Sequence, residues 1–184
     1  MSSLALENGQ RFVLIGDSIT DCGRLGDFAP DGIGYVAILR GLVTAHAPDL
    51  QVEFFNRGIG GNSVLNLEQR WEEDVVALQP DWLSVLIGIN DLHQHLGGIA
   101  DLGPEPYAER YAALLARAVD TSKCSLILLE PFYYTHPPGA NDQQRKVFEL
   151  LAEYIKIVHQ LAKDFGARLV RTHEIGQELS LIHI

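Results

Sequence analysis

The sequence predicts a three-layer α/β/α domain built on a parallel sheet of about five strands. Three observations carry that prediction. Five short apolar runs recur along the chain, at residues 12–15, 52–55, 82–87, 126–129 and 167–170. Longer stretches with apolar residues at steps of three and four separate them. The first three runs are each followed at once by a turn rich in Gly, Asn, Asp or Ser. A short, unbroken apolar run bounded by turn residues reads as a strand covered on both faces, as parallel strands are. Strand–helix alternation then places helices on both sides of the sheet.

Taken in order, the first run ends in Gly16-Asp17-Ser18-Ile19. Tyr35, Leu39 and Leu42 form a helical stripe that stops near Pro48. The second run leads into Asn56-Arg57-Gly58-Ile59-Gly60-Gly61-Asn62-Ser63. Val64, Leu67, Trp71, Val75 and Leu78 then share one helix face, with Asn62 or Ser63 as cap and Pro80 beyond the end. The third run gives Ile87-Gly88-Ile89-Asn90-Asp91, and the residues after Asn90 read as loop. Tyr107, Tyr111, Leu114 and Ala118 mark a helix entered at Pro104 and Pro106. The longest stripe, Val147, Leu151, Tyr154, Val158, Leu161 and Phe165, is closed by Gly166. About four helices are predicted, and none after the fifth strand.

A chain of 184 residues suits one domain with a single large core. Its 47% hydrophobic and 21% charged content is that of a globular protein. A net charge of −10 excludes nucleic acid and anionic membrane as main partners, since both require clustered Lys and Arg. The first ten residues contain no signal-peptide pattern, and no run is long enough to span a membrane. Cys22 and Cys124 do not make a disulfide framework, so reduced thiols and a cytoplasmic location are expected.

Three groups at the predicted strand ends could do chemistry. A serine hydroxyl such as Ser18 is a weak nucleophile unless a base takes its proton, and Asp17-Ser18 could equally be only a turn or cap. The loop 58–61 admits close backbone approach to a ligand. It reads as a phosphate cradle, a tight turn, or an oxyanion hole using a backbone N–H. No Gly-Lys-Ser/Thr follows it, so a P-loop is not supported. The Asn90 amide can donate toward the same place, or form an Asx-turn with Asp91. Ligands of open α/β sheets bind beyond the carboxyl ends of the strands, so the fold itself brings all three together. Asp91, His93 and His95 can be read as metal ligands, but no metal site is expected there. Glu72, Glu73 and Asp74 read as a solvated face, and His46 and His159 as helix-surface residues. His136 reads as an exposed loop residue, or one edging the cleft.

As a set, Gly16-Asp17-Ser18-Ile19, Gly58-Ile59-Gly60-Gly61-Asn62 and Gly88-Ile89-Asn90-Asp91 resemble the motif blocks of the GDSL-type, or SGNH, esterases and lipases. The resemblance implies their flavodoxin-like fold, with Ser18 as nucleophile and the Gly61 N–H and Asn90 side chain in the oxyanion hole. It is closest to the acetylxylan esterase branch, through residues 15–24, residues 70–74 and Pro131-Phe132-Tyr133. It places His93 where that branch carries an aromatic, and so on the pocket wall. The implied reaction removes a small acyl group, acetyl above all, from a sugar hydroxyl. No cofactor is implied. The implied partner is a small-molecule or oligosaccharide ester, and a homo-oligomer is compatible. The rival readings are a thioesterase or lysophospholipase of the same family, a non-catalytic carbohydrate-binding relative, and a nucleotide binder using loop 58–61.

The family carries its Asp and His as Asp-x-x-His after the fifth strand, and no such spacing occurs in this sequence. His173 comes too early and His183 has Ser180 three residues before it. The last six residues, Leu179-Ser180-Leu181-Ile182-His183-Ile184, are what CTG-TCT-CTT-ATA-CAC-ATC encodes, the transposon end used to tag DNA for sequencing. The expectation is a hydrolase domain over 1–178, incomplete at its C-terminus, followed by a non-native tail at 179–184. Without a base, Ser18 keeps its proton; such sites retain only ~10³–10⁴-fold catalysis over water. The 184-residue polypeptide is therefore expected to hydrolyse p-nitrophenyl acetate feebly. Robust turnover that disappears in Ser18→Ala would contradict this.

Overall fold

The structure, a computed structural model, describes residues 4–134 and 141–182, with side chains as far as 179. Its sheet has five parallel strands, β1 (Arg11–Gly16), β2 (Glu53–Gly58), β3 (Trp82–Leu86), β4 (Ser125–Leu129) and β5 (Arg168–Val170), in the order β2-β1-β3-β4-β5. The helices are α1 (Ser18–Asp21), α2 (Tyr35–His46), α3 (Val64–Asp74), α4 (Ile89–Leu96), α5 (Pro104–Ser122), α6 (Asp142–Asp164) and α7 (Thr172–Ile182). Each predicted strand is present, with its ends shifted by a few residues at most.

The chain goes from β1 outward to β2, then returns past β1 to β3. The strand order reverses between β1 and β3, and the crevice above such a switch point is where doubly wound sheets bind ligands.

Alternate residues of each strand feed two cores. Val13, Ile15, Leu83, Val85, Leu126 and Leu128 face α3, α5 and α6, whose stripes supply Trp71, Tyr111, Leu151 and Val158. This is the main core. Phe12, Leu14 and Trp82 face the other way, where Val36 of α2 covers them. Arg168 lies over the Trp82 ring at 4.7 Å, which shields that face with a cation.

Four expectations need correction. Leu42 does not belong to the buried stripe of α2: it is 63% exposed, whereas Val36 and Val43 are buried. Tyr35 and Leu39 pack against the smaller core. At 100° per residue, Leu42 falls beyond the arc shared by Val36 and Val43. The segment after Asn90 is helix α4 rather than loop. Its first turn is fixed by contacts to another loop, which local pattern does not show. A helix does follow β5: the Thr172 Oγ1 donates to Glu130 O at 2.6 Å and the His173 N–H to Glu130 Oε2 at 3.1 Å, which anchors the start of α7 on the end of β4. Asp74 is not on a solvated face but 7% exposed, whereas Glu72 is exposed and paired with Arg117.

Truncating the main core at Leu83→Ala is expected to cost about 2–5 kcal/mol. Leu42→Ala should change stability by no more than about 0.5 kcal/mol. Urea unfolding of both variants checks the assignment of faces.

Candidate active site

β1 delivers the chain into a turn capped by its own aspartate. Asp17 is the N-cap of α1, and its Oδ1 accepts the Ile19 N–H at 2.9 Å. Ser18, the next residue, is exposed at the top of the sheet. The end of β2 lies against this turn. A Cβ at Gly58 would stand 2.1 Å from the Asp21 amide nitrogen, so no larger residue fits there. Asn56, buried inside β2, donates from Nδ2 to Thr20 O at 2.7 Å and Asp31 O at 2.8 Å. Its Oδ1 accepts the Gly58 N–H at 2.9 Å. One side chain thus ties the nucleophile turn, the loop after it and the strand end together.

The glycine loop then passes beside Ser18. A Cβ at Gly60 would lie 3.8 Å from the Ser18 Cβ. Gly61 has φ +79, a conformation that disfavours residues with a side chain. Asn62 follows, and its carbonyl accepts the Asn90 Nδ2–H at 3.0 Å. Asn90 sits in the first turn of α4, directly beyond β3. The expected residues Ser18, Gly61 and Asn90 therefore belong to one connected patch above the β1–β3 switch point. An amide NH₂ carries two hydrogens, so Asn90 retains one donor beyond its bond to Asn62.

Two carboxylates lie beneath this patch. Asp91 is fully buried, and its Oδ1 accepts the Val64 N–H at 2.8 Å, serving the start of α3 from another element. Ser63 is the N-cap of α3, with its N–H and Oγ–H both donated to Asn66 Oδ1 at 2.9 and 3.0 Å. Burial pushes the Asp91 carboxyl up to about 7, against the pull of the Val64 and Asp91 amides and with a small addition from Asp17. Burial likewise pushes Asp17 up to about 6. The Oδ2 atoms of both have no hydrogen-bond partner among the described residues.

Asp91, His93 and His95 do not converge on one point. Among the described residues no group of three or more His, Cys, Asp or Glu could hold an ion. Residues two apart on a helix point away from one another, and so do His93 and His95. His93 is exposed and meets the Tyr133 ring edge-on at 5.6 Å, while His95 Nδ1 contacts Ile99 O at 3.2 Å. Cys22 and Cys124 are both free. His136 and His183 lie outside the described residues.

Sequence reasoning passed over three features. His159 is no mere surface residue, since its Nε2 meets the buried Glu130 Oε1 at 2.5 Å. Burial lowers the pKa of His173, with Glu130 opposing, and its ring stacks on Tyr134. Arg70 makes four hydrogen bonds at the heart of the site. The sequence signal for Arg70 is the Arg70-Trp71-Glu72-Glu73-Asp74 block, which does not itself show what Arg70 contacts.

The profile of the GDSL-like Lipase/Acylhydrolase family matches residues 14–180. The chain belongs to that family of acyl-ester hydrolases. It is 35% identical to an acetylxylan esterase from Geobacillus stearothermophilus, in an alignment that covers 96% of this chain and 82% of that one. A solved structure of that esterase superposes with a TM-score of 0.83 over the same shares, at 34% identity. A Parabacteroides merdae protein assigned as a GDSL-like lipase superposes equally well, with a TM-score of 0.83 at 31% identity over 94% of this chain and 82% of the other. Solved catalytic mutants of the Geobacillus esterase replace a serine, an aspartate or a histidine by alanine, the last two being three positions apart.

The raised pKa of Asp91 has a consequence for stability. In the fold it holds its proton to higher pH than in the unfolded chain, so its contribution is complete below about 3.8 and lost as pH rises through about 7. Asp91→Asn should remove that fall. Urea midpoints measured from pH 4 to 8 should show the variant gaining on the parent as pH rises.

Proposed function

We propose that this domain is a serine esterase that removes acetyl groups from carbohydrate hydroxyls. Ser18 is the nucleophile and attacks the acyl carbon. The backbone N–H groups of Ser18 and Gly61, with the free amide hydrogen of Asn90, receive the oxyanion of the tetrahedral intermediate. Donors already in place stabilise charge as it develops, and this is commonly the largest single contribution to such catalysis. The observation that carries the reading is the hydrogen bond from Asn90 to Asn62 O, which joins the loop after β3 to the loop beside Ser18. Acetyl is the favoured acyl group because the Geobacillus relative is an acetylxylan esterase.

Ser18 also needs a base. Among the described residues the histidines with side-chain hydrogen bonds, His95 and His159, direct them to Ile99 and Glu130 rather than to Ser18. The reading therefore rests on the nucleophile and the hole, and its test supplies the base from solution. With millimolar imidazole, the chain should cleave p-nitrophenyl acetate faster than Ser18→Ala under the same conditions. Asn90→Ala should lose about 10²-fold or more of that Ser18-dependent rate. The rate should fall from acetate to octanoate esters, and acetylated xylo-oligosaccharide should compete. Equal rates for the parent and Ser18→Ala would refute the assignment.

A further inference from the structure

We propose that Arg70 is the positioning residue that sets the oxyanion hole, by fixing both flanks of the glycine loop to the nucleophile turn. The inference deepens the esterase reading and rests on it for the role of the hole.

The Arg70 guanidinium reaches four acceptors. Nε donates to Asn62 Oδ1 at 2.8 Å, Nη1 to Arg57 O at 2.8 Å and to Asp74 Oδ2 at 2.5 Å, and Nη2 to Gly16 O at 3.1 Å. Gly16 lies two residues before Ser18, at the end of β1. Arg57 is at the end of β2. Asn62 directly follows Gly61, and its carbonyl holds the Asn90 amide. One planar cation thus touches the nucleophile turn and the glycine loop directly, and the Asn90 donor through one intermediary.

The loop packs on the nucleophile turn at Gly58 and Gly60, but Gly61 is open on its Cβ side. A Cβ at Gly61 would meet no atom within 4 Å. The place of Gly61 is set instead by bonds to its neighbours: Ile59 N–H to Gly16 O at 3.1 Å, Asn62 N–H to Ile59 O at 3.3 Å, and the Arg70 and Asn90 bonds to Asn62. Arg70 supplies the contact that links the far side of the loop back to α3. Asp74 holds the guanidinium in turn. It is four residues along α3, nearly buried, and also faces Arg57 Nη1 at 3.6 Å. A second cation therefore stands ready to neutralise Asp74, so the charge of Arg70 is not what the site depends on. Its shape is: a guanidinium presents five donors in one plane, whereas an ammonium offers three from a point and cannot meet acceptors on three segments together.

Charge and shape are separated by Arg70→Lys, with Arg70→Gln as a second variant lacking the charge. Amide exchange at Ile59 and Asn62 is read by NMR against Val85 and Leu86 of β3. Ser18 is then trapped with an alkyl fluorophosphonate, millimolar imidazole again supplying the base: its Oγ bonds to phosphorus, fluoride leaves, and the hydroxyl proton passes to imidazole. Mass spectrometry follows that adduct, with Ser18→Ala as blank. In Arg70→Lys we expect β3 exchange within about twofold of the parent, while Ile59 and Asn62 exchange about tenfold faster or more. Ser18 trapping should slow by about tenfold or more. Unchanged loop exchange, trapping at the parent rate, or β3 exchange rising in step with the loop would each overturn the proposal. If the parent itself is not trapped above the Ser18→Ala blank while Arg70→Lys still frees the loop, the esterase reading falls and the positioning of the loop by Arg70 stands.

Discussion

Where parallel strands end together, the chain leaves the sheet with carbonyls no neighbouring strand will pair. Each unpaired, shielded carbonyl costs of the order of 1–3 kcal/mol. At the ends of β1 and β2 Arg70 donates to the carbonyl of Arg57 and to that of Gly16, which also accepts the Ile59 N–H. The rest of the site is arranged around that solution. Asp74 balances the cation from the same helix. Ser63 caps the start of that helix, and Asp91 takes the N–H of Val64. The site is built from backbone ends held by side chains, and its rigidity is that of the network.

The fold was legible because its signals are local and repeated. A run such as residues 82–86, apolar but for Ser84, carries its own burial pattern, and the stripe from Val147 to Leu161 spans most of a long helix. What was missed is held from outside. Helix α4 is only eight residues long, so its apolar Ile89, Leu92 and Leu96 span barely two turns, and it begins where Asn90 and Asp91 bond to the loop and helix before it. Helix α7 is anchored by Glu130, more than forty residues earlier. Leu42 was misplaced because a three-residue stripe fits two neighbouring faces of one helix almost equally well.

The site was legible to a different depth. Ser18, Gly61 and Asn90 each fall in a short motif directly after a strand, so the topology alone gathers them. The groups that hold them were silent. Asn56 acts across 36 residues and Arg70 across 54. A side chain that bonds distant backbone has no pattern to repeat, because its partners are carbonyls common to every residue. Asp74 was read as solvated because its neighbours Glu72 and Glu73 are exposed; Arg70 pairs with it from one helical turn away, and the fold adds Arg57.

The place of β1 in the sheet also bears on how the molecule comes into being. Phe12 pairs with Phe54 on one side and Trp82 on the other, so both partners of the first strand are synthesised after it. A growing polypeptide exposes the Ser18 turn to the cell well before anything can shape it. Long closures of this kind are slow steps in assembly, and the segment must wait as an unpaired apolar strand until residues beyond Leu86 emerge. The first strand of this domain thus waits for partners made later, and an interruption of translation before Leu86 would release a chain with an unpaired apolar strand and no site.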